Sequence, residues 1–110
     1  MIHNDEAEQS VLGAILLDGT LMVKSKLKIE FFQSHCHQKI FAAIAKIHDH
    51  SEPITLVTVT KELGKDIQTV GGVGYLSKLA AAVPTLETFE QQQQLVLEAV
   101  CSRRFNNNHP

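Results

Sequence analysis

The sequence has no tryptophan, and aromatic residues make up only 5% of it, which excludes a core built mainly on large rings. Cysteine is almost as scarce. Cys36 and Cys101 stand far apart and outside any CxxC pair, so neither a disulfide framework nor a zinc finger is expected, and a reducing cytosol is the simplest setting. No stretch approaches the roughly 18 consecutive apolar residues of a membrane span. The opening residues MIHNDEAEQS have neither a basic n-region nor an apolar h-region, so no signal peptide is read there and a cytoplasmic location is expected. Positive charge is not in surplus either: ten Lys and Arg against twelve Asp and Glu leave a net charge of -2. Tight direct binding to a phosphate backbone is therefore not expected.

What the chain does have is 110 residues, 44% of them apolar, enough for one small core and too few for two. Ala, Leu, Ile, Val, Glu, Gln and Lys dominate, a palette of helix formers and aliphatic side chains that makes an all-α domain the expectation. The stretch EAEQSVLGAILLDG reads as a first helix, capped by Asn4 or Asp5. Glu6 and Glu8 lie at the positive end of its dipole, and Ala7, Val11, Leu12, Ile15 and Leu16 form an apolar stripe. Gly13 sits within that buried face, although it costs about 1 kcal/mol against alanine in a helix. Leu21 to Ile29, with Lys24, Lys26 and Lys28 interleaved, reads as a short helix with solvated lysines, and a strand over KLKIE stays open.

Ser34 is an N-cap for the most periodic segment, in which Ile40, Phe41, Ile44 and Ile47 repeat at helical spacing. Glu52-Pro53 breaks that helix. ITLVTVT has strand propensity, yet Thr55 can cap a helix through Leu56, Val59 or Thr60, and Leu63 that ends at Gly64, and the helical reading is preferred. VGGVG reads as a flexible connector to a helix carrying Tyr75, Leu76, Leu79, Ala80 and Val83, stopped by Pro84. A last helix begins between Thr85 and Glu87 and runs to about Phe105. Its apolar residues Phe89, Val96 and Val100 are spaced by seven and four, and the four glutamines from Gln91 form its polar face. Residues 1–105 make one domain, and 106–110 are a polar tail outside it.

No catalytic motif emerges. Gly64-Lys65 lacks both the following hydroxyl residue and the glycine five positions earlier that a phosphate-binding loop needs, and GGVG lacks the fingerprint and preceding strand of a dinucleotide site. His35, Cys36 and His37 are successive on a helix and point about 100° apart, so they do not converge on one metal ion. His37 with Phe41 fits a packing face instead. No catalytic, cofactor or metal residue is assigned.

Four segments in order, EAEQSVLGAILLD, FFQSHCHQKIFAAI, EPITLVTVTKEL and VGGVGYLSKLAAAVPT, together resemble the N-terminal domain of DnaB-type replicative DNA helicases of bacteria and phages. The match runs from Asp5 to about Arg104, and its specificity lies in four signatures coinciding in order and spacing. The resemblance implies a compact bundle of about six helices, the last being the first arm of a helical hairpin. In this family the first helix packs tightly, and Gly13 then gives close backbone contact. Family members usually have aspartate where Thr55 stands, which keeps the capping chemistry.

The resemblance further implies a non-catalytic domain that pairs into dimers and hexamers, forms a collar on the motor ring, and engages primase or a helicase loader. ATP and Mg belong to the family's RecA-like motor, for which these 110 residues hold no counterpart. Candidate partner-binding residues are Glu6 and Tyr75, with Phe89, Val96 and Val100 for self-association. An alternative reading puts Tyr75 in the core and leaves Glu6 to complement the helix dipole. A freestanding helical regulator that binds a helicase, primase or loader is the alternative to a helicase domain.

Overall fold

The computed structural model of the protein describes residues 5–83 and 85–107, the last three by their backbone alone. Five α-helices carry the fold: α1 (Asp5–Leu17), α2 (His35–Asp49), α3 (Leu56–Leu63), α4 (Gly72–Ala81) and α5 (Phe89–Asn107). Short 3-10 turns at Gly19–Lys24, Ile29–Phe31, Gly64–Ile67 and Leu86–Thr88 join them. The architecture is all-α, as expected, with no strand among the described residues.

α1 is the central helix. Every residue from Val11 to Leu16 is buried, and α4, α5 and α2 all pack on it. A helix apolar on nearly every side belongs in the middle of a bundle. Burying each of the Val, Leu and Ile side chains from Val11 to Leu16 contributes about 1.5–3 kcal/mol. At Gly13 the neighbouring helix comes closest. An ideal Cβ there would overlap the Leu79 carbonyl oxygen and lie 2.7 Å from Val83 Cγ2, so only a residue without a side chain lets α1 and α4 meet at this distance.

The caps are local and visible. Ser34 Oγ accepts from the His37 amide at the start of α2. Thr55 and Thr58 form a reciprocal capping box at the start of α3, which satisfies amides that have no partner within the helix. This is why a β-branched stretch folds as helix. Asn4 and Pro84, expected as a cap and a stop, lie outside the described residues.

Two expectations need correcting. Leu21 to Ile29 is not one helix: a 3-10 turn ends at Lys24, Ser25 and Lys28 have extended backbone, and a second turn follows. Leu27 is buried while Lys26 and Lys28 are exposed, an alternation with the period of extended chain rather than helix. VGGVG is likewise not merely a connector. Gly71 and Gly72, at φ 110° and 78°, make the left-handed bend, and Gly72 through Gly74 already form the first turn of α4.

Candidate docking site

The first turn of α1 carries Asp5, Glu6 and Glu8. Asp5 and Glu6 are exposed, but Glu8 is only 3% exposed. It lies three and four residues before Val11 and Leu12, on the face that the helix buries. There it meets the start of α2. Glu8 Oε2 accepts from the Gln33 amide at 2.7 Å, and Oε1 accepts from the Ser34 amide at 3.4 Å and lies 2.8 Å from His37 Nδ1. Burial opposes ionisation of this carboxyl, but the hydrogen bonds from His37 and the two amides outweigh it and hold its pKa below the ordinary value.

An ionised carboxylate only accepts, so His37 Nδ1 carries the proton and donates to it. The other ring nitrogen, Nε2, and the Tyr75 hydroxyl are hydrogen-bonded at 2.7 Å. The His37 and Tyr75 rings are nearly parallel, 9° apart. Burial raises the Tyr75 phenol pKa, the hydrogen bond with Gln9 works against it, and the Asp5 charge adds to the rise. A phenol held protonated in this way is not an activated nucleophile. The line Glu8, His37, Tyr75 instead pins α1, α2 and α4 together through a buried network in which every member has partners.

Asp5, Glu8 and His37 also bring one potential metal ligand each to within 4.8 Å of one another. The hydrogen bonds from Gln33, Ser34 and His37 already occupy the Glu8 oxygens, so the cluster is accounted for by its own bonding. The two residues before His37 diverge from it. His35 is exposed, while Cys36 Sγ lies 3.5 Å from the Thr69 carbonyl oxygen. Phe41, one helical turn after His37, is buried with its ring centroid 5.0 Å from that of Phe32.

At the surface, Glu6, Gln9 and Ser10 line an open groove with Ala82 and Gln92. Gln9 joins this groove to Tyr75 and also donates to Asp5 at 3.0 Å. Gln9 thus stands between the groove that Glu6 lines and the Tyr75 side chain, the two residues expected together at a partner surface. Tyr75 is neither fully exposed nor in the core: it is half-buried, with its hydroxyl fixed from beneath by His37.

Phe89, Val96 and Val100 are 2%, 1% and 6% exposed within the single chain, on the helix α5 that packs on α1. The outward face of α5 carries Gln91, Gln94, Leu95 and Glu98. Sequence reasoning also missed Glu8 and Gln93 as interior groups. The helical register of Glu8 with Val11 and Leu12 was the available signal, and Gln93 shares its buried side with Phe89, Val96 and Val100.

The family model described as DnaB-like helicase N terminal domain matches residues 1–98. The chain is 46% identical over 103 residues to the replicative DNA helicase DnaB of Geobacillus stearothermophilus, covering 90% of this chain and 23% of that protein. It is 42% identical over 106 residues to the replicative DNA helicase DnaC of Bacillus subtilis (strain 168), covering 93% and 23%. The chain thus spans about a quarter of the length of these curated relatives. In three dimensions it is similar to the crystal structure of the N-terminal domain of DnaB helicase from Mycobacterium tuberculosis, with a TM-score of 0.86 at 32% identity over 92% of this chain and 75% of that one. A structure of a DnaB-like replicative helicase and its interactions with primase matches with a TM-score of 0.87 at 32% identity, over 92% of this chain and 25% of that one. By its order of sequence signatures, its fold and the match across residues 1–98, this chain belongs to the DnaB-like helicase N-terminal domain family.

Proposed function

We propose that this chain works as a non-catalytic docking and assembly domain of a replicative DNA helicase. The corner bordered by Glu6, Gln9 and Tyr75 meets a primase or a helicase loader, and the outward face of α5 meets further copies of the chain. ATP and Mg serve the motor domain of such helicases, and none of these residues is assigned a role with them. The observation that supports the reading most directly is the fold match to a replicative helicase described together with its interactions with primase.

Physically, the corner suits docking. A partly buried aromatic with a fixed hydroxyl presents apolar area at low entropic cost, and an exposed carboxylate beside it selects a cationic partner. The buried Glu8 and His37 pair holds Tyr75 in position before any partner arrives, which reduces the ordering cost of binding.

Binding to primase from the same source, measured by biolayer interferometry, tests the reading. Glu6→Arg and Tyr75→Ala should each weaken binding at least tenfold, which is about 1.4 kcal/mol, while Lys61→Ala on α3 leaves it unchanged. Unaltered binding by both corner variants, with melting temperatures intact, would place the docking site elsewhere.

A further inference from the structure

The net charge of -2 is distributed very unevenly. Residues 24–31 and the end of α5 together hold Lys24, Lys26, Lys28, Arg103 and Arg104 against the single carboxylate of Glu30. The rest of the chain holds five lysines against eleven carboxylates, so a +4 edge stands on a -6 body. The fold assembles this edge from two distant segments. Gln93 on α5 accepts from the Lys26 amide at 2.8 Å, and Arg103 donates to the Phe31 carbonyl at 2.9 Å and to Gln33 Oε1 at 3.2 Å. Arg104 lies over the Phe31 ring, 5.6 Å from its centroid.

Lys24, Lys26 and Lys28 are all exposed and make no close ion pair among the described residues, although the Lys24 charge acts on the nearby Asp18 carboxylate. With Leu27 turned into the core, Lys26 and Lys28 point outward from extended chain, about 6.5 Å apart along it. At the Phe31 end of the segment Arg104 is exposed, its guanidinium carbon 5.6 Å from the Phe31 ring centroid. Exposed point cations on one segment with an exposed planar guanidinium beside an aromatic ring at its end are the elements that hold an extended polyanion with flat bases.

We propose that this edge is a track for single-stranded nucleic acid, with Lys24, Lys26 and Lys28 on successive phosphates and a base stacked on Arg104. An acidic protein segment would use the same charges but has no need of the Arg104 and Phe31 plane. The surrounding negative body keeps the affinity low, in the roughly micromolar or weaker range of non-specific binding. This contact is separate from the Glu6 and Tyr75 corner and does not depend on what docks there.

Fluorescence anisotropy of a labelled single-stranded oligothymidine with the intact chain tests the track. Binding at low salt should weaken with a log-log slope of about -2 to -3, the release expected for three to four neutralised phosphates. The triple variant Lys24→Glu, Lys26→Glu, Lys28→Glu should bind at least about tenfold more weakly. The matched triple Lys61→Glu, Lys65→Glu, Lys78→Glu changes the net charge equally and should stay within about twofold. Arg104→Lys should lower affinity while keeping the salt slope, because it preserves charge and removes the stacking plane. Circular dichroism melts verify folding, and a Lys→Gln triple replaces the Glu triple should that one unfold. No binding at low salt, equal losses in both triples, or displacement of the oligonucleotide by polyglutamate at equal charge would each overturn the proposal.

Discussion

The α-carbon of Gly13 on α1 faces the backbone carbonyl of Leu79 on α4 at a separation that leaves no room for a methyl group. Two opposite terms act on any substitution there. Alanine gains about 1 kcal/mol of helix propensity over glycine, but its Cβ would be forced against backbone, which cannot rotate away as a flexible side chain can. Overpacking of this kind costs about 1–3 kcal/mol, so the steric term wins. Gly13→Ala should lower stability in urea denaturation, and Gly13→Leu should lower it further. An unchanged or raised stability for Gly13→Ala would show that the two helices do not approach this closely.

The buried carboxylate of Glu8 makes stability depend on pH with a definite sign. Its folded pKa lies below its ordinary value of 4.5 because bonding to His37 and the amides of Gln33 and Ser34 outweighs burial. The stabilisation is therefore fully present above about 4.5 and is lost as pH falls through the folded value. Glu8→Gln should cost about 1–3 kcal/mol at neutral pH, because one amide or ring donor is left without its charged acceptor. Denaturation curves should show the gap between wild type and Glu8→Gln narrowing as the medium is acidified. A gap that stays constant down to the unfolding pH would mean that Glu8 does not titrate with folding.

The helices with local signals were readable before the fold was known. Ser34 and Thr55 announce their helices because a cap needs only residues three positions away, and Gly13 stood out because its cost has to be offset by a neighbour. The lysine segment misled because nine residues are too few to separate a period of two from one of 3.6 when both are interrupted. Helical register carries the inward turn of Glu8 and Gln93 but not the bonds that each makes there. Their partners, Gln33 with Ser34 and the Lys26 amide, lie 25, 26 and 67 positions away, and no local pattern records that pairing. Phe89, Val96 and Val100 show the converse. Helical spacing identified a real apolar face, but spacing alone does not say whether the same chain or another covers it.

Gln93 is 5% exposed and is one of the fastenings of the 25–33 segment on α5, together with Arg103. Gln93→Ala leaves the Lys26 amide without its acceptor, and a lost hydrogen bond of this type costs about 0.5–1.5 kcal/mol. Hydrogen exchange should report the change locally, with faster exchange at Lys26 and little change at the core amides of α1. Arg103→Ala should loosen the same segment at its other end, near Phe31. Equal acceleration across the whole chain would show that the segment opens only with global unfolding.

The start of α3 gives the most direct contrast between a local cap and tertiary packing. Thr55 Oγ1 accepts from the Thr58 amide at 3.1 Å, and Thr58 Oγ1 accepts from the Thr55 amide at 2.9 Å. Thr55→Ala removes the first bond and should cost about 0.5–2 kcal/mol. Thr55→Asp keeps an acceptor at the same position and adds a negative charge at the positive end of the helix dipole. It should match or exceed the wild type by about 0.3–1 kcal/mol at low ionic strength. Raising the salt should shrink that gain without restoring Thr55→Ala, since screening acts on the charge and not on the missing acceptor. Thermal melts of the three proteins at two salt concentrations distinguish the effects. If Thr55→Ala melts with the wild type, packing of Val59 and Leu63 alone holds α3, and the cap contributes little.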